Sequence, residues 1–184
     1  PIKLDFYEKL GALCQPDTIF ASNTSSFPIT EMAEASGRPE KVCGLHYFNP
    51  VQIMKLCEIV HTEHTDKQVL EDVTAFVTKT GKVGVPCGDS PGFIVNRLLV
   101  PYIVQGVAMV ARGDAKPDDI DLAMRLGAGY PMGPITLSDY VGNDINLAVM
   151  KGWVERFPDD PASQVPEAME LLEEMVAKDL LGRK

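Results

Sequence analysis

The stretch KVCGLHYFNPVQIMKLCEIV, residues 41–60, decides how the first half of this chain is read. Its two ends, KVCGLHYF and KLCEIV, are short apolar runs of the kind that form buried strands. Asn49-Pro50 stops the first, because a proline forces extended backbone on its predecessor and cannot donate to a ladder. The connection between the runs is short enough for an antiparallel pair. Two polar side chains interrupt these runs: Glu58, and His46, which is one of three histidines in the chain.

Working outward, Leu4, Tyr7, Leu10, Ala12 and Leu13 recur at helical spacing ahead of Pro16, and TIFAS follows as a strand. Pro28 and Gly37 bracket a modest helix. Downstream, HTDKQVLEDVTAFVTKTGK predicts a helix with Val69, Val73, Phe76 and Val77 on one face, Thr65 and Gln68 in capping-box spacing, and Gly81 as the stop. VGVPC then reads as a strand. This alternation predicts an α/β sheet, the second half of a doubly wound, Rossmann-like arrangement, mostly parallel and covered on both faces.

At GDSPG the pattern changes to helix throughout. Ser90 and Pro91 suit an N-cap and first helical position, and helices are expected over 91–112, 117–126, 134–157 and 166–180. Pro101 should bend the first of these or divide it in two. The expected division is therefore an α/β part over 1–89 and an all-helical domain over 90–184.

Composition narrows the function classes. With 184 residues, 45% of them hydrophobic, the chain can bury a sizeable core. A formal net charge of −9 without clustered Lys and Arg argues against nucleic acid, although small anionic ligands remain open through local sites. Cys14, Cys43, Cys57 and Cys87 lack metal-ligand spacing and read as reduced core thiols, so no metal site is expected. PGFIVNRLLVPYIVQGVAMVA approaches membrane-span length, but Asn96, Arg97, Pro101 and Gln105 make it a buried helix instead. No leader peptide is legible. The opening PIKLDFYEKL is already amphipathic, which suggests a fragment or processed chain.

Three places could carry chemistry. If the two strands flank the Asn49-Pro50 turn, His46 and Glu58 can point to the same end of the sheet, where a carboxylate on Nδ1–H fixes the tautomer of a general base. The alternative is a buried histidine satisfied by a backbone carbonyl and a glutamate that reaches solvent. ASNTSS sits where a doubly wound sheet contacts ligand, yet such residues are also ordinary in capping loops. Asn96 and Arg97 interrupt an apolar helix face, and a buried Asn needs partners, either substrate or backbone.

Four strings, TIFASNTSSFPIT, GLHYFNPVQIMKLCEIV, SPGFIVNRLLVPY and RLGAGYPMGPITLSDYVG, taken in order, resemble the 3-hydroxyacyl-CoA dehydrogenase family, in particular its short-chain mitochondrial monofunctional branch. The resemblance runs from Lys3 to Lys184. It implies an NAD-dependent enzyme of fatty-acid β-oxidation that oxidises L-3-hydroxyacyl-CoA to 3-ketoacyl-CoA. It implies His46 as catalytic base, Glu58 as its orienting partner, Ser25 at the substrate and nicotinamide, and Asn96 at the reacting end. Cofactor contacts would fall on Lys3, Asn23, Ser25, Asn49 and Lys184. An acyl-CoA substrate, a homodimer through the helical domain and a mitochondrial matrix location come with the resemblance.

The family's Gly-x-Gly-x-x-Gly turn, which holds a pyrophosphate at a helix N-terminus, does not occur in this sequence. About a hundred residues ahead of Pro1 and a short tail after Lys184 are therefore expected to complete the enzyme. Three other readings stay open: a non-catalytic dimerisation fragment, a lens-crystallin-like relative, and a β-hydroxyacid dehydrogenase of the same plan, which would lean on a helical-domain lysine where this chain has Asn96-Arg97. Isothermal titration of the 184-residue chain with NAD is expected to give no micromolar binding; a micromolar isotherm would overturn the expectation that the adenosine half of the site lies elsewhere.

Overall fold

The computed structural model describes residues 2–25 and 27–183, and the chain divides into two compact units, 1–96 and 97–184. The first contains α1 (Ile2–Leu13), β1 (Phe20–Ser22), α2 (Ile29–Ala35), β2 (Val42–Tyr47), β3 (Leu56–His61), α3 (Lys67–Lys79) and β4 (Val83–Gly88). The strands form one sheet in the order β1-β2-β3-β4. β1 and β2 are parallel, β2 and β3 antiparallel, and β3 and β4 parallel, so the α/β expectation holds, including its antiparallel pair.

Strand alternation sorts the sheet's two faces. Cys43, Leu45, Cys57 and Ile59 pack with Val69, Val73 and Val77 of α3. Val42 and Val60 face the other way, onto Tyr7 of α1 and Ile29, Met32 and Ala33 of α2. Gly44 shares that second face. A Cβ there would stand 2.8 Å from Val60 Cβ and 2.9 Å from Ile29 Cδ1, so only glycine lets β2 and α2 approach this closely. By the same parity, His46 and Glu58 belong to the face that carries Val42, Gly44 and Val60.

Two local expectations in this unit and at its end fail for identifiable reasons. The capping box at Thr65 and Gln68 does not form. Thr65 Oγ1 instead donates to the Val42 carbonyl (2.9 Å) and accepts the Thr62 N–H (3.0 Å), while Gln68 Nε2 donates to Asp72 (3.1 Å). The other concerns the start of the long helix. α4 (Val95–Arg112) begins four positions later than its proline suggested, because Gly92 (φ 78) and Phe93 (φ 55) take left-handed backbone that a helix cannot contain. Val95 and Asn96, at the start of α4, fall in the first compact unit.

The second unit continues α4 and adds α5 (Pro117–Gly127), α6 (Pro134–Val141), α7 (Asn143–Arg156) and α8 (Pro166–Ala177). α4 runs through Pro101 as one element rather than two. The helix expected over 134–157 is instead two helices, broken at Gly142, whose φ of 101° is open only to glycine. α8 stops at Ala177, ahead of Asp179 (φ 59). Ile103, Val104, Ala108, Met150, Ala168 and Leu172 form this unit's core. Arg97 has a local role there: it pairs with Asp160, whose carboxyl it holds below the usual range, and lies over Trp153. Among the described residues no helix is long and apolar enough to cross a membrane, and no cluster of His, Cys, Asp or Glu could hold a metal.

One residue fastens α1 to the sheet. The Arg38 guanidinium donates to the carbonyls of Gly11 (2.7 Å), Cys14 (2.8 Å) and Gln15 (2.5 Å), and stacks over Phe20 at 4.8 Å. α1 has no basic residue in its own last turn, so Arg38 supplies the cation its C-terminus lacks. Arg38→Ala should lower stability by about 1–3 kcal/mol, since the carbonyls that end α1, half-buried at Gly11 and Cys14, lose a charged donor. A chemical-denaturation midpoint equal to that of the parent would contradict this.

Candidate functional site

The antiparallel register sets His46 on β2 directly opposite Glu58 on β3. Directly opposed residues share a face with their Cβ atoms within a few ångströms, which brings two groups twelve positions apart into contact. His46 Nδ1 lies 2.6 Å from Glu58 Oε2. Both are buried, His46 with 3% and Glu58 with 0% of its surface exposed, so this pair is shielded from water.

A carboxylate taken wholly out of water must have its lone pairs engaged. Glu58 Oε2 faces the imidazole, and Oε1 accepts two consecutive backbone N–H groups, from Ile94 (3.0 Å) and Val95 (2.8 Å), at the start of α4. Because a carboxylate only accepts, the proton of the neutral ring sits on Nδ1 and the Nε2 lone pair is free to accept. It accepts the Ser25 hydroxyl, at 2.9 Å. Phe48 and Phe93 wall the ring, with centroids at 4.5 and 5.4 Å.

The remaining expected site residues are placed as follows. Ser25 and Asn23 lie in the exposed loop after β1, and Asn23 Oδ1 accepts the Tyr47 N–H (3.1 Å), which ties that loop to the residue after His46. Asn49 is exposed beyond the end of β2, followed by a cis bond to Pro50. Asn96 is half-buried in the first turn of α4, next to Val95. Lys3 is exposed on α1, with no bond tying it to the imidazole. Lys184 lies outside the described residues.

The thiols do not compete for the chemistry. Burial pushes Cys43 up to about 12 and Cys87 up to about 11, the latter with help from the charges of Glu58 and Asp89. Thiols held that high are protonated and poor nucleophiles. The sequence reading missed Asp89, whose carboxylate accepts the Thr30 N–H (2.8 Å) and hydroxyl (2.7 Å), and the backbone of Ile94 and Val95. Backbone donors leave no trace in residue type. The only signal available was the Gly92-Phe93 pair interrupting the predicted helix.

Glu58→Ala should destabilise the chain by about 1–3 kcal/mol for each buried donor it strands. Glu58→Gln keeps an acceptor for Ile94 and Val95 but turns an NH₂ group toward Nδ1. It should therefore cost less stability and move the ring proton to Nε2, readable from the ¹⁵N shifts of His46. Unchanged nitrogen shifts in Glu58→Gln would show that the carboxylate does not set the tautomer.

Residues 1–90 match the profile described as 3-hydroxyacyl-CoA dehydrogenase, NAD binding domain, and residues 92–184 match 3-hydroxyacyl-CoA dehydrogenase, C-terminal domain. The mitochondrial hydroxyacyl-coenzyme A dehydrogenase of Sus scrofa is 48% identical over 100% of this chain and 57% of its own length. The 3-hydroxybutyryl-CoA dehydrogenase of Clostridioides difficile is 44% identical over 100% of this chain and 64% of its own. The crystal structure of (S)-3-hydroxybutyryl-CoA dehydrogenase from Ralstonia eutropha superposes with a TM-score of 0.90 at 36% identity, over 99% of this chain and 63% of that one. The chain thus spans about three fifths of the length of these relatives.

Proposed function

The chain belongs to the 3-hydroxyacyl-CoA dehydrogenase family, and from that membership we propose that it carries the general-base machinery for NAD-linked oxidation of an L-3-hydroxyacyl-CoA to the 3-ketoacyl-CoA, a step of fatty-acid β-oxidation. The observation that carries the proposal is the buried carboxylate with one oxygen on His46 Nδ1 and the other on two backbone N–H groups. That arrangement leaves Nε2 as the proton acceptor, with Ser25 already at hydrogen-bond distance.

The residues would divide the work as follows. Nε2 of His46 takes the C3 hydroxyl proton, and the Glu58 carboxylate stabilises the imidazolium that results. Ser25 exchanges its bond to Nε2 for one to the C3 oxygen, which holds the reacting hydroxyl in line with the base. Asn96 offers an amide to the substrate's reacting end. The walls formed by Phe48 and Phe93 limit water at the imidazole.

For the cofactor, this chain's residues fit the nicotinamide end: Ser25, Asn23 and Asn49 lie beyond the carboxyl ends of the parallel strands β1 and β2, where an α/β sheet receives its ligands. NAD, when bound, supplies the hydride acceptor. Lys3 and Lys184 are proposed as further contacts. A homodimer through the helical unit belongs to the same proposal and is supported by the exposed Leu98, Leu122 and Leu126. A mitochondrial location accords with the Sus scrofa relative, while bacterial relatives match as well.

A second reading, acyl transfer with Ser25 as nucleophile, is favoured by the continuous Ser25–His46–Glu58 chain of hydrogen bonds. The two separate by mutation in the protein's natural full-length form. Under the dehydrogenase reading, His46→Gln should lower turnover by roughly 10²–10⁴-fold with substrate binding little changed, and Ser25→Ala should leave measurable NADH formation. Near-normal turnover in His46→Gln would remove His46 as the base. Release of free CoA that disappears in Ser25→Ala would favour the acyl-transfer reading.

A further inference from the structure

Among the described residues only two without glycine's freedom hold a positive φ, Phe93 (φ 55) and Asp179 (φ 59). Phe93 is the unexpected one, because a bulky aromatic in left-handed backbone is unfavourable and persists only where its surroundings over-determine it. It is 6% exposed and packs in the core formed with Tyr7, Phe20, Ile29 and Val60. It follows Gly92 (φ 78), and the two immediately precede the pair of N–H groups that grip Glu58.

The segment is fixed on both sides of this turn. Upstream, Asp89 accepts the backbone N–H and the hydroxyl of Thr30 on α2 (2.8 and 2.7 Å). Downstream, Ile94 and Val95 donate to Glu58 Oε1. Between these anchors the left-handed turn reverses the chain so that two successive N–H vectors converge on one oxygen, which leaves Oε2 to the imidazole. The Phe93 ring meets the His46 ring edge-on, centroids 5.4 Å apart at 61°, and Phe48 also packs against the imidazole at 4.5 Å.

We propose that Phe93 is a positioning residue for the His46–Glu58 pair: its backbone aims Ile94 and Val95 at the carboxylate, and its ring holds the imidazole in the plane where Nδ1 meets Oε2. The consequence for turnover rests on the general-base reading above; the consequence for the imidazole does not.

Three variants separate the two contributions. Phe93→Val introduces a β-branched residue that resists positive φ, so it attacks the turn. Phe93→Gly accepts the turn and removes the ring. Phe93→Leu keeps apolar bulk beside the imidazole. In the 184-residue chain, amide exchange at Ile94 and Val95 and the ¹⁵N shifts of His46 are measured; in the full-length form, kcat and KM.

Phe93→Val should speed exchange of both amides about 10-fold or more, as a local opening would. Phe93→Gly should keep them protected while the His46 proton spreads from Nδ1 to a mixture of both nitrogens. Both should lower kcat by about 10- to 100-fold with KM within about twofold, and Phe93→Leu should recover most of the loss. A merely structural role would reduce the folded fraction while the folded molecules kept a pure Nδ1–H tautomer. That result in Phe93→Gly overturns the proposal, and Phe93→Gly decides alone if Phe93→Val does not fold. Should His46→Gln prove active, the general-base reading fails, and the exchange and nitrogen-shift results still decide the role of Phe93.

Discussion

Everything in the first unit is arranged around the burial of one carboxylate. Glu58 has none of its surface exposed, and a carboxyl group out of water is tolerated only when its oxygens are fully engaged. Its donors come from two distant parts of the chain: the imidazole of β2 and the backbone where β4 gives way to α4. This requirement couples three choices that would otherwise be independent, namely the register of β2 on β3, the point where α4 begins, and the left-handed turn that precedes it. Moving any one of them strands a buried polar group.

The same constraint gives the imidazole its chemistry. A carboxylate that accepts on both oxygens cannot present a proton to Nδ1, so the ring's own proton stays there and the Nε2 lone pair points to the Ser25 hydroxyl in the loop after β1. Asn23 reinforces this arrangement from the backbone side by holding the N–H of Tyr47, so the loop bearing Ser25 is tied to the strand bearing His46. The high-lying thiols of Cys43, on the opposite face against α3, and of Cys87 leave the acid–base role to the histidine and its carboxylate.

Legibility followed the range of the interactions involved. The strands, the antiparallel pair and the change to helix after GDSPG were readable because hydrophobic period and proline or glycine punctuation are local signals. The errors were local signals overruled by distant partners. Thr65 had the composition of a cap, but the Val42 carbonyl claimed its hydroxyl. Ser90-Pro91 looked like a helix start, but Glu58 needed the N–H groups of Ile94 and Val95 at the first turn, and a left-handed Gly92-Phe93 pair put them there. Gly142 is a different case: its positive φ breaks locally a segment expected as one helix over 134–157.

Residue order alone places a histidine and a glutamate within adjacent buried strands, Ser25 and Asn23 after a strand end, and a helical half after an α/β half. It could not determine that His46 opposes Glu58. A slip of one residue in the hairpin would set Glu58 against Leu45 or Tyr47, on the opposite face of the sheet, with the same elements and nearly the same composition of each run. The register is settled in the folded chain, by contacts that the strands do not contain: Gly44 admitting Ile29 on one face, α3 closing over Cys43, Leu45 and Ile59 on the other, and two backbone donors from the start of α4 that can satisfy Glu58 in that one position.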